Sequence, residues 1–91
     1  MTSKQKMLIL VEDIINEHGY PDTIEIHSKN IQKSKITKGK ELRYENEIWM
    51  CYKNGKKFLV NEVFYYSHCP MVINTIEKFI ESLKSEEKFK H

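Results

Sequence analysis

The dipeptide Asn54-Gly55 constrains the fold of this chain more than any other feature of its sequence. It separates two runs rich in β-branched and aromatic residues, residues 41–53 and 56–67. A two-residue type I′ turn requires positive φ at both central positions, and Asn-Gly adopts it readily. The sequence therefore predicts a β-hairpin of fixed register. The expected cross-strand neighbours are Lys53 opposite Lys56, Met50 opposite Leu59, Trp49 opposite Val60 and Glu47 opposite Glu62.

Helices are predicted at both ends of the chain. From Met7 to Ile15 the apolar residues recur at i, i+3, i+4 and i+7, with Thr2 or Ser3 placed to cap the start and Gly19 to end the helix. A second apolar stripe begins after Pro70, which suits a first helical turn. Between the first helix and the hairpin, residues 23–27 alternate as a short strand with two isoleucines pointing inward. Residues 28–40 show no firm period and are expected to form a basic loop or irregular strand.

These elements predict an α+β protein with the order α-β-β-β-α, in which two helices accompany a three-stranded antiparallel sheet. A length of 91 residues fits one small domain, residues 1–91, with fraying expected at residues 1–3 and 86–91. At 40% hydrophobic residues the chain has enough apolar side chains to fold.

Both faces of the predicted hairpin are partly apolar. Alternation assigns a core face, which carries Leu42, Tyr44, Ile48, Met50, Tyr52, Leu59, Val63 and Tyr65. The opposite face carries Trp49, Cys51, Phe58, Val60, Phe64 and Tyr66. Two arrangements follow: either both helices cover the core face and leave the second face open, or one helix covers each face. The broad apolar arc of the first helix favours the second arrangement, and a β-bulge near Glu47 would shift the assignment.

An uncovered aromatic face predicts a docking surface, since aromatic residues anchor protein interfaces. The expected apolar anchors are Trp49, Phe58, Val60 and Phe64. Glu45, Glu47 and Glu62 would add electrostatic selection. The sequence therefore favours a non-enzymatic regulator or inhibitor that binds a protein or a second copy of itself.

Nucleic-acid binding is the alternative function. The basic residues that would contact phosphates are Lys29, Lys33, Lys35, Lys38 and Lys40 in the loop, with Lys56 and Lys57 at the hairpin tip. Against it, the net charge is only +2, and a single arginine, Arg43, accompanies 14 lysines. Arginine is the better residue for bidentate recognition of bases and phosphates.

No motif predicts catalysis, a metal or a cofactor. His68-Cys69 resembles the start of a phosphatase loop, but position 75 is Thr where that loop requires Arg. The cysteines and histidines lack the spacing of a zinc site, and no Gly-rich phosphate loop is present. We therefore expect no enzymatic activity, no cofactor, no small-molecule substrate and no metal.

Cysteine content and composition suggest a cellular setting. Two cysteines without a CxxC motif or a secretion signal are typical of free thiols in the cytoplasm, and no segment predicts membrane insertion. Abundant Lys, Ile, Asn and Glu are typical of AT-rich coding sequence. Small lysine- and isoleucine-rich domains of this kind include accessory and anti-defence proteins of phages and mobile elements.

Overall fold

A computed structural model describes residues 1–31 and 43–90, with side chains described except at 29–31, 43–45 and 87–90. It confirms the α+β class and the order α-β-β-β-α. The elements are helix α1 (Ser3–His18), strands β1 (Thr23–Ile31), β2 (Arg43–Cys51) and β3 (Lys57–Val63), a 3-10 turn (Tyr66–His68) and helix α2 (Cys69–Lys90). The strands form one antiparallel sheet in the order β1-β2-β3.

Local chemistry sets both ends of α1. The Thr2 hydroxyl accepts a hydrogen bond from the Gln5 amide, and the Gln5 side chain accepts one from the Thr2 amide. This reciprocal capping box satisfies two amides that have no partner within the helix. At the other end Gly19 takes a φ of 81°, which glycine adopts without a Cβ clash, and its amide bonds to the Ile15 carbonyl.

Strand β1 is longer than expected. It continues to Ile31 instead of ending at residue 27, and it pairs with β2 without interruption from Thr23 opposite Cys51 to Ile31 opposite Arg43. Residues 28–31 therefore belong to the strand and not to a loop. Pairing with β2 supplies the backbone hydrogen bonds that make this polar stretch extended, which periodicity alone does not reveal.

The hairpin turn differs from the prediction. The Tyr52 amide bonds to the Lys56 carbonyl, so the loop has three residues, with Gly55 at a φ of 89°. This is the three-residue hairpin in which glycine takes the left-handed position. The extra residue moves Trp49 opposite Leu59 and Met50 opposite Phe58, so these two predicted pairs and the pairing of Lys53 with Lys56 are wrong.

A β-bulge then restores the original register. The ladder shifts between Ile48 and Trp49, which leaves Val60 as the additional residue on β3. Beyond the bulge Glu47 lies opposite Glu62, as predicted. A bulge lets two successive residues of one strand face the same side. Here Val60 is buried in the core, and the next residue, Asn61, contacts Met7 of α1.

Both helices pack on one face of the sheet. The buried apolar residues form a single cluster: Met7, Val11, Ile14 and Ile15 from α1, Ile48, Met50 and Val60 from the sheet, and Cys69, Ile76 and Ile80 from α2. The sheet residues that pack on the margin of this cluster include Ile24 and Ile26, as predicted, and Phe58. The arrangement with one helix on each face is therefore wrong, and Ile9 and Leu10 of α1 remain 47% and 41% exposed.

A buried asparagine joins the three strands at the end away from the hairpin tip. Asn46 has no exposed surface, and its amide nitrogen donates to the carbonyls of Val63 and Phe64 at 3.0 and 3.2 Å. Its side-chain oxygen accepts a hydrogen bond from the Ser28 hydroxyl at 2.8 Å. Burial of the polar amide is tolerated because its hydrogen-bonding groups are used.

Candidate functional site: the open face of the sheet

The sheet face opposite the helices, termed the open face, presents three residues from each strand among the described side chains. The pairing places them in a three-by-three grid: Thr23, Glu25 and His27 on β1, Cys51, Trp49 and Glu47 on β2, and Lys57, Leu59 and Glu62 on β3. The apolar members of the grid, Cys51, Trp49 and Leu59, do not belong to the core cluster of the described residues or to the apolar residues packed against it. Trp49, the chain's single tryptophan, occupies the centre of the grid.

Polar neighbours hold the Trp49 indole in place. Its Nε1 donates to Glu47 Oε1 at 3.2 Å, and the His27 ring lies 6.0 Å from the indole with 30° between the planes. On the β3 side, the Lys57 ammonium lies 5.0 Å from the indole centroid, in cation–π geometry. These contacts leave the indole half-buried, so the open face offers a preoriented aromatic surface.

Three glutamates give the open face its charge. Glu25 accepts hydrogen bonds from His27 at 3.0 Å and from the Thr23 hydroxyl at 3.1 Å, and these hold the pKa of its carboxyl below the usual value. Glu47 is nearly buried, at 9% exposure, and lies directly opposite the exposed Glu62. With Lys57 as the only ammonium beside three carboxylates, the grid carries an excess of negative charge.

Cys51 adds a weakly acidic thiol to the grid. It is a free cysteine of intermediate exposure, and burial, together with the negative charge of Glu25, raises its pKa. Cys69 is also free but lies in the core, where burial raises its pKa as well. Raised pKa values leave less thiolate, and the thiolate is the nucleophile. The pKa values of these thiols therefore do not favour nucleophilic chemistry.

Two expected anchors lie on the core side of the sheet. Phe58 stacks on His18 of α1 at 4.6 Å, and Val60 is only 6% exposed. The expectation that they face outward is wrong for two reasons. The third loop residue shifts the register so that Phe58 lies opposite Met50, on the helix-covered side. The bulge lets Val60 point to the same side as its neighbour Asn61.

The segment after β3 is exposed and aromatic. Phe64, an expected anchor, is 53% exposed, while Tyr65, Tyr66 and Met71 are 67%, 62% and 65% exposed. Tyr65 was expected on the core face, and this is wrong because the strand ends at Val63 before the alternation reaches it. Residues 63–76 contain no Asp, Glu, Lys or Arg in a chain that is 31% charged.

Several expected site residues lie outside the described side chains. Glu45 and Lys29 are cross-strand partners in the β1–β2 ladder, but their side chains are not described. The lysines at positions 33, 35, 38 and 40 also lie outside the described residues. Of the expected basic surface, the described part is the hairpin tip. There Lys56 and Lys57 are exposed, and the Lys57 ammonium already lies over Trp49.

Sequence reasoning missed five members of the open face. Thr23, Glu25 and His27 could have been found, because the inward alternation of Ile24 and Ile26 places their neighbours outward. Lys57 and Leu59 could not, because their side depends on whether the loop has two or three residues, and Asn54-Gly55 is compatible with both.

Outside the open face, the described residues form grooves but no candidate metal cluster. Among residues 1–31 and 43–90, no group of three or more His, Cys, Asp or Glu side chains is placed to hold a metal ion. No described helix is both long and apolar enough to cross a membrane. A groove of about 550 Å³ between the helices is lined by Met1, Gln5, Leu8, Ile9, Glu12 and Phe79. The side chains that line this groove are uncharged apart from the Glu12 carboxylate.

Comparisons with protein-family models, with curated proteins and with solved structures find no match for this chain. The open face, centred on Trp49 and bordered by glutamates, is therefore identified as the candidate site from its geometry alone.

Proposed function

We propose that this protein binds another protein through the open face and acts by covering part of its partner. The observation that carries the proposal is the position of Trp49. The indole lies at the centre of the face that no described helix covers, and polar side chains from all three strands surround it. Tryptophan at the centre of a polar rim is the usual composition of an interaction hot spot.

The surface extends beyond the grid. Glu62, the last grid residue of β3, is followed within two positions by Phe64, which is 53% exposed. Trp49 at the centre of the grid and Phe64 beyond its edge would thus supply two apolar anchors of one surface, with the paired Glu47 and Glu62 between them. A contact of this kind can block a partner without chemistry, which suits a regulator or inhibitor, including an accessory protein of a phage or mobile element.

Affinity capture with matched variants tests the proposal. The immobilised full chain would be exposed to lysate of its native host, treated with nuclease, and compared with Trp49→Ala, Phe64→Ala and Glu62→Lys. Ile9→Ala is the control, because it truncates a similarly exposed apolar residue on α1, away from the open face. We expect a protein that binds the wild type and Ile9→Ala and is reduced at least about tenfold by each open-face variant.

Two outcomes would overturn the proposal. Equal capture of the partner protein by all folded variants would show that the binding surface lies elsewhere. Loss of capture after nuclease treatment, together with its loss in Lys33→Glu/Lys35→Glu, would instead support nucleic-acid binding. Circular dichroism of each variant verifies that the fold persists. Sedimentation of the wild type and Trp49→Ala over a range of concentrations shows whether the partner is a second copy of the chain.

A further inference from the structure

The open face already holds a cation against its central aromatic ring. The Lys57 ammonium lies 5.0 Å from the centroid of the Trp49 indole, and Lys57 is exposed. A cation at this distance is attracted by the electron-rich face of the ring. The ammonium is the end of a long, exposed side chain, so a better cation could replace it on the ring. The Trp49 ring is therefore a cation–π site that the chain occupies with its own Lys57 side chain.

The glutamate carboxylates around this cation–π site differ in the hydrogen bonds that they accept. Glu25 accepts hydrogen bonds from His27 and Thr23, and Glu47 accepts one from the Trp49 indole. Glu62 is exposed, and its carboxylate has no hydrogen bond or ion pair with another described residue. It lies directly across the ladder from Glu47, an arrangement of like charges that is unfavourable without a cation nearby.

Resting on the proposed function, we propose that the open face recognises an arginine of its protein partner. The guanidinium stacks on the Trp49 indole in place of the Lys57 ammonium and pairs with the Glu62 carboxylate. Arginine fits better than lysine because its planar group can stack on an aromatic ring and donate to a carboxylate at the same time. The excess of carboxylates in the described grid also favours a cationic ligand over phosphate.

Trp49 provides a direct probe, because a chain with one tryptophan has one indole N–H signal in a nitrogen-15 correlation spectrum. The full chain would be titrated with N-acetyl-arginine amide, and in parallel with the lysine and citrulline analogues. Citrulline has almost the shape of arginine but carries no charge. We expect saturable shifts of the indole signal with arginine, weaker binding of lysine and no binding of citrulline.

Substitution of Lys57, whose ammonium competes with arginine for the Trp49 ring, gives the sharpest comparison. Lys57→Met vacates the ring, whereas Lys56→Met removes the same charge from the adjacent exposed position at the hairpin tip. We expect Lys57→Met to bind arginine about two- to fivefold more tightly than Lys56→Met, from the usual strength of a surface cation–π contact. Glu62→Gln should weaken binding, and Lys57→Gln should reproduce the gain without the apolar chain of methionine.

The inference is overturned if Lys57→Met and Lys56→Met bind arginine equally, or if citrulline shifts the indole signal as arginine does. These outcomes differ from failure of the proposed function. Partner capture could require Trp49 and Glu62 and yet be the same for Lys57→Met and Lys56→Met. That result would support the docking role and contradict the arginine inference. If arginine binds as expected but Trp49→Ala does not reduce partner capture, the docking role is wrong.

Discussion

The two faces of the sheet are built from neighbouring residues of the same strands, yet they are held in different ways. On β2, Ile48 and Met50 have no exposed surface and contribute to the core between the sheet and the helices. Trp49, between them, instead contacts His27, Lys57 and Glu47. The helix-covered face is stabilised by apolar burial, and the open face by polar and ring contacts that are worth less in water. The stabilising apolar contacts therefore lie mainly on the helix-covered face, and the open face is the one that we propose for binding.

The largest expected effect on the free energy of unfolding comes from side-chain truncations that compare the two faces. Ile48→Ala should lower the free energy of unfolding by about 3 kcal/mol, because it leaves a cavity in the core. Leu59→Ala, on the open face opposite Trp49, should cost about 1 kcal/mol, because its side chain is already partly solvated. Urea unfolding followed by circular dichroism measures both. Equal losses would mean that the open face is part of the folding core.

A second test concerns the polar group buried on the helix-covered side. Asn46→Ala should cost about 2 kcal/mol, because it leaves the Val63 and Phe64 carbonyls without their amide donor. Ser28→Ala removes one hydrogen bond to the same side chain at an exposed position and should cost about 1 kcal/mol or less. The same unfolding measurement ranks the two. A greater loss for Ser28→Ala would show that Asn46 does not hold the strand ends.

The smallest effect is expected from a charge on the open face. The pKa of Glu25 is lowered by its hydrogen bonds to His27 and Thr23, so the folded protein binds this proton less tightly than the unfolded chain does. Its contribution to stability is complete above the ordinary value of 4.5 and is lost as the pH falls through the lowered folded-state pKa. Glu25→Gln should therefore be less stable than the wild type at neutral pH, with the difference vanishing in acid.

Urea midpoints over a series of pH values would show this convergence. Glu81→Gln, at an exposed carboxylate of α2, is the control for a general loss of negative charge. A constant difference between Glu25→Gln and the wild type at every pH would contradict the assignment, because it would mean that the substitution acts through packing and not through ionisation.

The limits of the sequence-based prediction are clearest in the hairpin. Alternation correctly predicted Ile48 and Met50 as core residues and Trp49 as their outward neighbour, because β2 runs without a bulge along β1. On β3 the same rule misplaced Phe58, Leu59 and Val60. A single residue changes the side of every residue that follows it, and the turn and the bulge each add one. The errors therefore lie between these two irregularities, and Glu62 beyond them was placed correctly.

The sequence by itself determined the element order, the ends of α1, the hairpin and the acidic pair Glu47 and Glu62, because short-range periodicity, capping and turn chemistry control these features. Only the tertiary structure decided that both helices share one face, that Phe58 and Val60 join the core, and that Lys57 and His27 lie against Trp49. These features depend on pairing between distant segments. An amphipathic helix has an apolar side for packing, but its own sequence does not specify which face of a two-sided sheet receives it.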